Sequence, residues 1–62
     1  MKVILYQVKY PATKGNQVRY ETEILLDDGA DGKNIATVKD HAMAQQIAKA
    51  MGWEVSEDNV AN

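Results

Sequence analysis

Apolar and polar residues alternate with a period of two over residues 17–26, QVRYETEILL, and residues 2–10, KVILYQVKY, are rich in β-branched and aromatic residues with one row of alternate positions drier than the other. Successive side chains of a strand point to opposite faces, and β-branched and aromatic residues suit a pleated surface. Each run therefore predicts a strand. In the first, Ile4, Tyr6, Val8 and Tyr10 share one face, and Val3, Leu5, Gln7 and Lys9 share the other. The even-numbered set is the more continuous apolar row, which assigns it to the core. In the second, Val18, Tyr20, Thr22, Ile24 and Leu26 oppose Gln17, Arg19, Glu21, Glu23 and Leu25, the pattern of a half-buried strand. PATKGN, residues 11–16, separates them as a loop. Pro11 cannot continue a central ladder, and Gly15-Asn16 tolerates positive φ. An antiparallel hairpin is the topology that so short a connection favours.

The period changes after residue 38. In KDHAMAQQIAKAMG, residues 39–52, the residues Met43, Ala44, Ile47, Ala48, Ala50 and Met51 fall on one broad stripe, with His41, Gln45, Gln46 and Lys49 facing out. This is an amphipathic helix. Asp40 is the expected N-cap, with Thr37 as its rival, and Gly52 is the expected residue beyond the last turn. IATV, residues 35–38, becomes a short third strand, with Ala36 and Val38 added to the core. Trp53 is expected to fold back over the end of the sheet or helix. Residues 56–62 are polar and acidic, and are expected to fray as termini do.

The expected architecture is α+β, in the order β-β-β-α. A three-stranded antiparallel meander carries one C-terminal amphipathic helix on one face. Residues 1–55 form a single small domain and 56–62 a tail.

This arrangement leaves apolar residues on the far side of the sheet. Val3, Leu5, Leu25 and Ile35 make a patch there if Val3 pairs near Leu25, and a one-residue shift of register would dissolve it. A contiguous apolar patch on a small domain implies a contact, the alternative being that Trp53 folds across it to make a second small core. These four residues are the predicted protein interface, with Trp53 as an aromatic anchor. The strand edges offer a second route to dimers through strand addition.

Composition strengthens the case for a partner. The chain has 62 residues and no cysteine, so neither a disulfide nor a thiolate zinc site supplements a small core. A homo-oligomer is the expected remedy. The apolar run VILY, residues 3–6, is too short for a signal core or a membrane span. The expectation is a cytoplasmic protein with no membrane partner. The net charge of −2 is unevenly spread. Residues 1–20 contain Lys2, Lys9, Lys14 and Arg19 and no acid, whereas 21–62 contain three basic residues and all nine acids. Such a split can mark two surfaces of opposite sign.

Candidate chemistry is sparse. DDGADGKN, residues 27–34, matches an EF-hand loop at Asp27, Asp31 and Gly32. It has Gly29 where a second oxygen ligand belongs and Val38 where the bidentate glutamate belongs. Strands rather than helices flank it. Asp28-Gly29 and Asp31-Gly32 are both favoured hairpin pairs, so the loop is expected to be a turn and no metal is expected. His41 is the single histidine, placed on the polar side of the helix as surface decoration. No serine, threonine or tyrosine sits in a nucleophile motif. Glu21 and Glu23, roughly 7 Å apart along one strand, lack the cleft that a carboxylate pair needs. No catalytic residue and no cofactor is expected.

The expected function is a small non-enzymatic protein-binding module. It would act as an accessory protein or phage-type inhibitor that occupies a surface of a larger protein, as a homodimer. The alternative is a nucleic-acid-binding protein using Lys9, Lys14 and Arg19 on the first hairpin, with Tyr10 and Tyr20 nearby. The overall acidity opposes that alternative, because polyanion binders usually carry a basic excess.

Overall fold

A computed structural model describes residues 1–29 and 32–61. The elements are β1 (Lys2–Tyr10), β2 (Arg19–Leu26), β3 (Lys33–Val38), α1 (His41–Met51) and β4 (Glu54–Asn59). The class is α+β, but the sheet has four strands, in the order β3-β2-β1-β4. β1–β2 and β2–β3 are antiparallel, whereas β1–β4 is parallel, so the sheet is mixed. The segment expected to fray thus supplies most of a strand. Period-two reading misses it because β4 is exposed at every position. It is held by backbone pairing that no hydrophobic alternation announces.

A parallel neighbour requires a crossover. Here α1 carries the chain from the β3 edge to the β4 edge, and it packs against all four strands. Asp40 starts the helix: its backbone is extended (φ −117, ψ 123), and its side chain accepts from the Ala42 amide at 3.0 Å. The far end is a Schellman turn. Gly52 N–H donates to Lys49 O at 3.1 Å and Trp53 N–H to Ala48 O at 2.9 Å. Gly52 adopts φ 73, a left-handed conformation that costs an L side chain strain. The turn throws Trp53 back against the core, where a residue at this position commonly packs.

The first strand is turned over relative to its expected orientation. The register pairs Val3 with Leu26, Leu5 with Ile24 and Gln7 with Thr22. Odd positions of β1 therefore share a face with even positions of β2. Val3, Leu5, Ile24, Ala44 and Ala48 are the buried core, with Ala36, Val38, Ile47 and Trp53 packed around it. Ile4, Tyr6, Val8 and Tyr10 face away from the helix. The physical reason lies in the side chains. Ala44 and Ala48 let the helix approach closely, and compact Val3 and Leu5 fill the space beneath. Burying Tyr6 there would take a phenol away from water, at a cost unless it were paired.

The helix is rotated for the same reason. Its inward stripe runs through His41, Ala44 and Ala48, while Met43 and Met51 are exposed. The stripe expected to hold both methionines is narrower than the sequence pattern implies.

Both sheet edges are irregular. β3 is bulged opposite Ile24 and Leu25, and β4 is bulged opposite Val3 and Ile4. β4 also carries Glu54, Glu57 and Asp58. Bulges and charges blunt an edge against further pairing. The edge of β1, expected to be free, is occupied by β4.

Candidate functional site

The predicted interface does not assemble. Val3 and Leu5 are fully buried under the helix, Trp53 packs against that core, and Leu25 and Ile35 lie outside it. The one-residue inversion of β1 separates them. The helix-free face instead brings together Ile4, Tyr6 and Val8 of β1 with Leu25 of β2. Ile4 pairs directly with Leu25, Tyr6 with Glu23 and Val8 with Glu21. Tyr6 is 48% exposed and Ile35, the extra residue of the β3 bulge, is 39% exposed. Leu25 is half-buried, and a side chain added at Gly32 would meet it at ordinary contact distance. Asn34 donates to Glu23 Oε1 at 3.0 Å, which fixes that carboxylate on the rim.

The second surface is the end of the first hairpin. Lys9 pairs with Tyr20, and Tyr10 pairs with Arg19. Beyond them the chain narrows to a turn at Lys14-Gly15, closed by reciprocal bonds between Thr13 and Asn16 of 3.1 and 2.9 Å. Every residue from 9 to 20 is exposed. The Arg19 guanidinium stacks over the Tyr10 ring, 4.7 Å from its centre. Tyr10, Pro11, Thr13, Asn16, Gln17 and Arg19 line a shallow concavity beside this stack.

A third cluster was not foreseen. His41 leaves the polar side and turns toward β2 and β4, with only 13% of its side chain exposed. Its Nδ1 is 3.0 Å from Thr22 Oγ1, and its Nε2 is 2.5 Å from Asp58 Oδ1. Gln45, one turn along the helix, donates to Asp58 Oδ2 at 2.8 Å. The Gln45 bond does most to hold the Asp58 carboxyl below its usual range; burial opposes it, and the His41 contact adds to the lowering. An ionised Asp58 accepts, so Nε2 of His41 carries the proton. In the neutral ring Nδ1 then accepts from the Thr22 hydroxyl. The one cue in the sequence is the i, i+4 spacing of His41 and Gln45. Asp58 has no cue, since its place depends on β4 joining the sheet.

Hydroxyl, imidazole and carboxylate in a row have the composition of a catalytic triad. The geometry serves a different end. Thr22 has no exposed surface, so no substrate carbonyl can reach its oxygen, and a nucleophile must be reachable. The relay instead satisfies a buried hydroxyl and anchors the edge strand.

The acidic loop is also partly committed to structure. Asp27 accepts from Ser56 Oγ at 2.6 Å, and its amide donates to Lys2 O at 2.9 Å. Gly29 takes φ 80 after Asp28, in keeping with a turn. Asp31, the ligand at the fifth loop position in the EF-hand comparison, lies outside the described residues, as does Ala30. Among the described residues no three histidine, cysteine or acidic side chains converge as metal ligands, and no helix is long and apolar enough to cross a membrane.

No family model, curated protein or solved structure matches this chain. The surfaces must be read from their own chemistry.

Proposed function

We propose that this chain is a non-enzymatic protein-binding module, of the accessory or inhibitor kind, that contacts its partner through the helix-free face of the sheet. One observation carries the reading. The helix covers a single face, and Tyr6 stands exposed on the other beside Ile4, Val8 and Leu25, with Ile35 exposed at the β3 bulge. An open apolar face with an aromatic centre and an acidic rim of Glu21 and Glu23 has the anatomy of a contact surface, dry in the middle and polar at the margin. The blunted edges of β3 and β4 favour use of the face over strand addition. Tyr6 takes the role of central anchor in place of Trp53, which the core uses.

The test compares the wild-type protein with the double variant Tyr6→Glu/Val8→Glu. Both are used to capture partners from cells that make the protein, and both are run in sedimentation velocity. The expected result is a partner retained by the wild type and lost by the variant, with thermal unfolding preserved. A wild-type dimer that becomes monomeric in the variant would assign the face to contacts between copies. Capture of the same proteins by both, with no change in sedimentation, would defeat the reading.

A further inference from the structure

The end of the first hairpin carries a charge pattern that the open face does not explain. Residues 9–20 include Lys9, Lys14 and Arg19 and no acid, a charge of +3 on a chain whose total is −2. Ion pairs among the described residues are Lys2–Glu54 and His41–Asp58. The three cations of the hairpin thus stand within salt-bridge distance of no described carboxylate. Cations that stabilise a fold are usually placed near acids. These three make no ion pair among the described residues, as Lys33, Lys39 and Lys49 make none, but they alone are gathered on one segment without an acid, exposed throughout.

Their placement is specific. Lys9 and Tyr20 pair on the helix side of the ribbon, Tyr10 and Arg19 pair on the open side, and Lys14 sits in the turn. Each face of the ribbon therefore has one cation beside one tyrosine, and the tip has a third cation. The molecule is elongated, 40 × 24 × 18 Å. The remaining acidity belongs to the body behind the hairpin, so the charge distribution turns the tip toward a polyanion and the body away from it.

We infer that this hairpin is a nucleic-acid-binding arm that contacts phosphates from both faces and the tip. A two-stranded ribbon fits a DNA major groove. A groove is walled by phosphates on both sides, which suits cations on both faces better than a flat basic patch would. The exposed tyrosines add apolar surface for sugar edges or unstacked bases. Arg19, held over Tyr10, is already oriented and loses less freedom on binding. An acidic protein surface is the competing partner. It offers its charge on one side, and would leave Lys9 or Arg19 unused.

The test is fluorescence anisotropy of the full chain with a labelled mixed-sequence duplex and a single strand of equal length. Measurements at 50 and 200 mM salt give the electrostatic slope. Three neutralised phosphates predict a slope of about −2.7 for duplex, or an affinity loss of about 40-fold between those salts. The surface variant Lys9→Gln/Lys14→Gln/Arg19→Gln should abolish this binding without altering the circular dichroism melt. The control Lys33→Gln/Lys49→Gln should bind as the wild type does. Preference for the single strand, lost on Tyr10→Leu/Tyr20→Leu, would assign the arm to base stacking within the same inference. No salt-sensitive binding at 50 mM, or equal binding by the triple variant, would overturn it. So would competition by polyglutamate as effective as that of unlabelled duplex at matched charge. An uncharged change of the open face, Tyr6→Ser/Val8→Thr, should keep nucleic-acid binding at the tip cations and lose the protein partner, so failure of either surface can be told from failure of the other.

Discussion

His41 Nε2 and Asp58 Oδ1, 2.5 Å apart, join the first turn of α1 to the far half of β4. The strand has no buried residue of its own. Its side-chain anchors include this contact, the Gln45 bond to the same carboxylate, the Ser56 bonds to Asp27 and Val3 O, and the Lys2–Glu54 ion pair. Replacing Asp58 by Ala should cost about 1–2 kcal/mol, as expected for losing hydrogen bonds to a charged group at a partly exposed site. Amide exchange, resolved by residue, should accelerate in β4 before it does in β1 or β2. Uniform acceleration across the sheet would show that β4 is not separately anchored.

The same carboxylate sets an acid limit. Asp58 is held below the ordinary aspartate value of about 3.9. A depressed folded value adds stability above the unfolded one, and that stability is lost as pH falls through the folded value. Denaturant midpoints should therefore begin to drop below about pH 5 and go on dropping as pH falls through the folded value of Asp58. In Asp58→Asn this part of the drop should be absent and the midpoint at neutral pH already lower. An identical acid limb in the two proteins would contradict the assignment.

Thr22 is the buried end of the relay. Thr22→Val keeps the shape but leaves Nδ1 of His41 with no partner in a mostly enclosed site. The expected loss is about 1–3 kcal/mol, read from a thermal melt. Combining it with His41→Phe should recover part of that loss, because the unmet nitrogen is then gone.

The orientation of β1 gives a sharp pair of variants. Leu5→Glu places an unpaired carboxylate beneath α1, which costs several kcal/mol against a total of about 5 kcal/mol for a domain at the low end of stability. It should not fold. Tyr6→Glu, one residue away on the open face, should melt within a few degrees of the wild type. The opposite order would restore the even-numbered core.

Close seating of the helix can be checked at Ala48. Ala48→Leu inserts three carbons at a fully buried position, and overpacking of this kind costs about 1–3 kcal/mol. Gly52→Ala tests the turn that follows. Open space surrounds its position, so the expected loss of about 1–2 kcal/mol comes from the left-handed backbone and not from a clash.

Local patterns in the chain were enough to define β1, β2, α1 and both helix caps. Alternation, a change of period and a well-placed Asp40 and Gly52 act within a few residues of one another. β3 was legible in part, and begins two residues before IATV. The hairpin cations were also legible, because a ribbon keeps sequence neighbours together in space. What the sequence left open was which face of β1 goes inward. Val3 and Leu5 compete there with Ile4, Tyr6 and Val8, and both rows are apolar. The choice depends on the register against β2 and on how closely an alanine-faced helix can sit, and these are contacts between distant residues. The same holds for β4. Its residues read as a solvated tail, and they form a strand because the crossover helix ends beside the free edge of β1. The Thr22–His41–Asp58 relay exists only once three elements far apart in the chain have met. Short-range order was thus decided by the sequence itself. The inward face, the fourth strand and the exposed surface were decided by packing, where backbone pairing and shape outweigh local pattern.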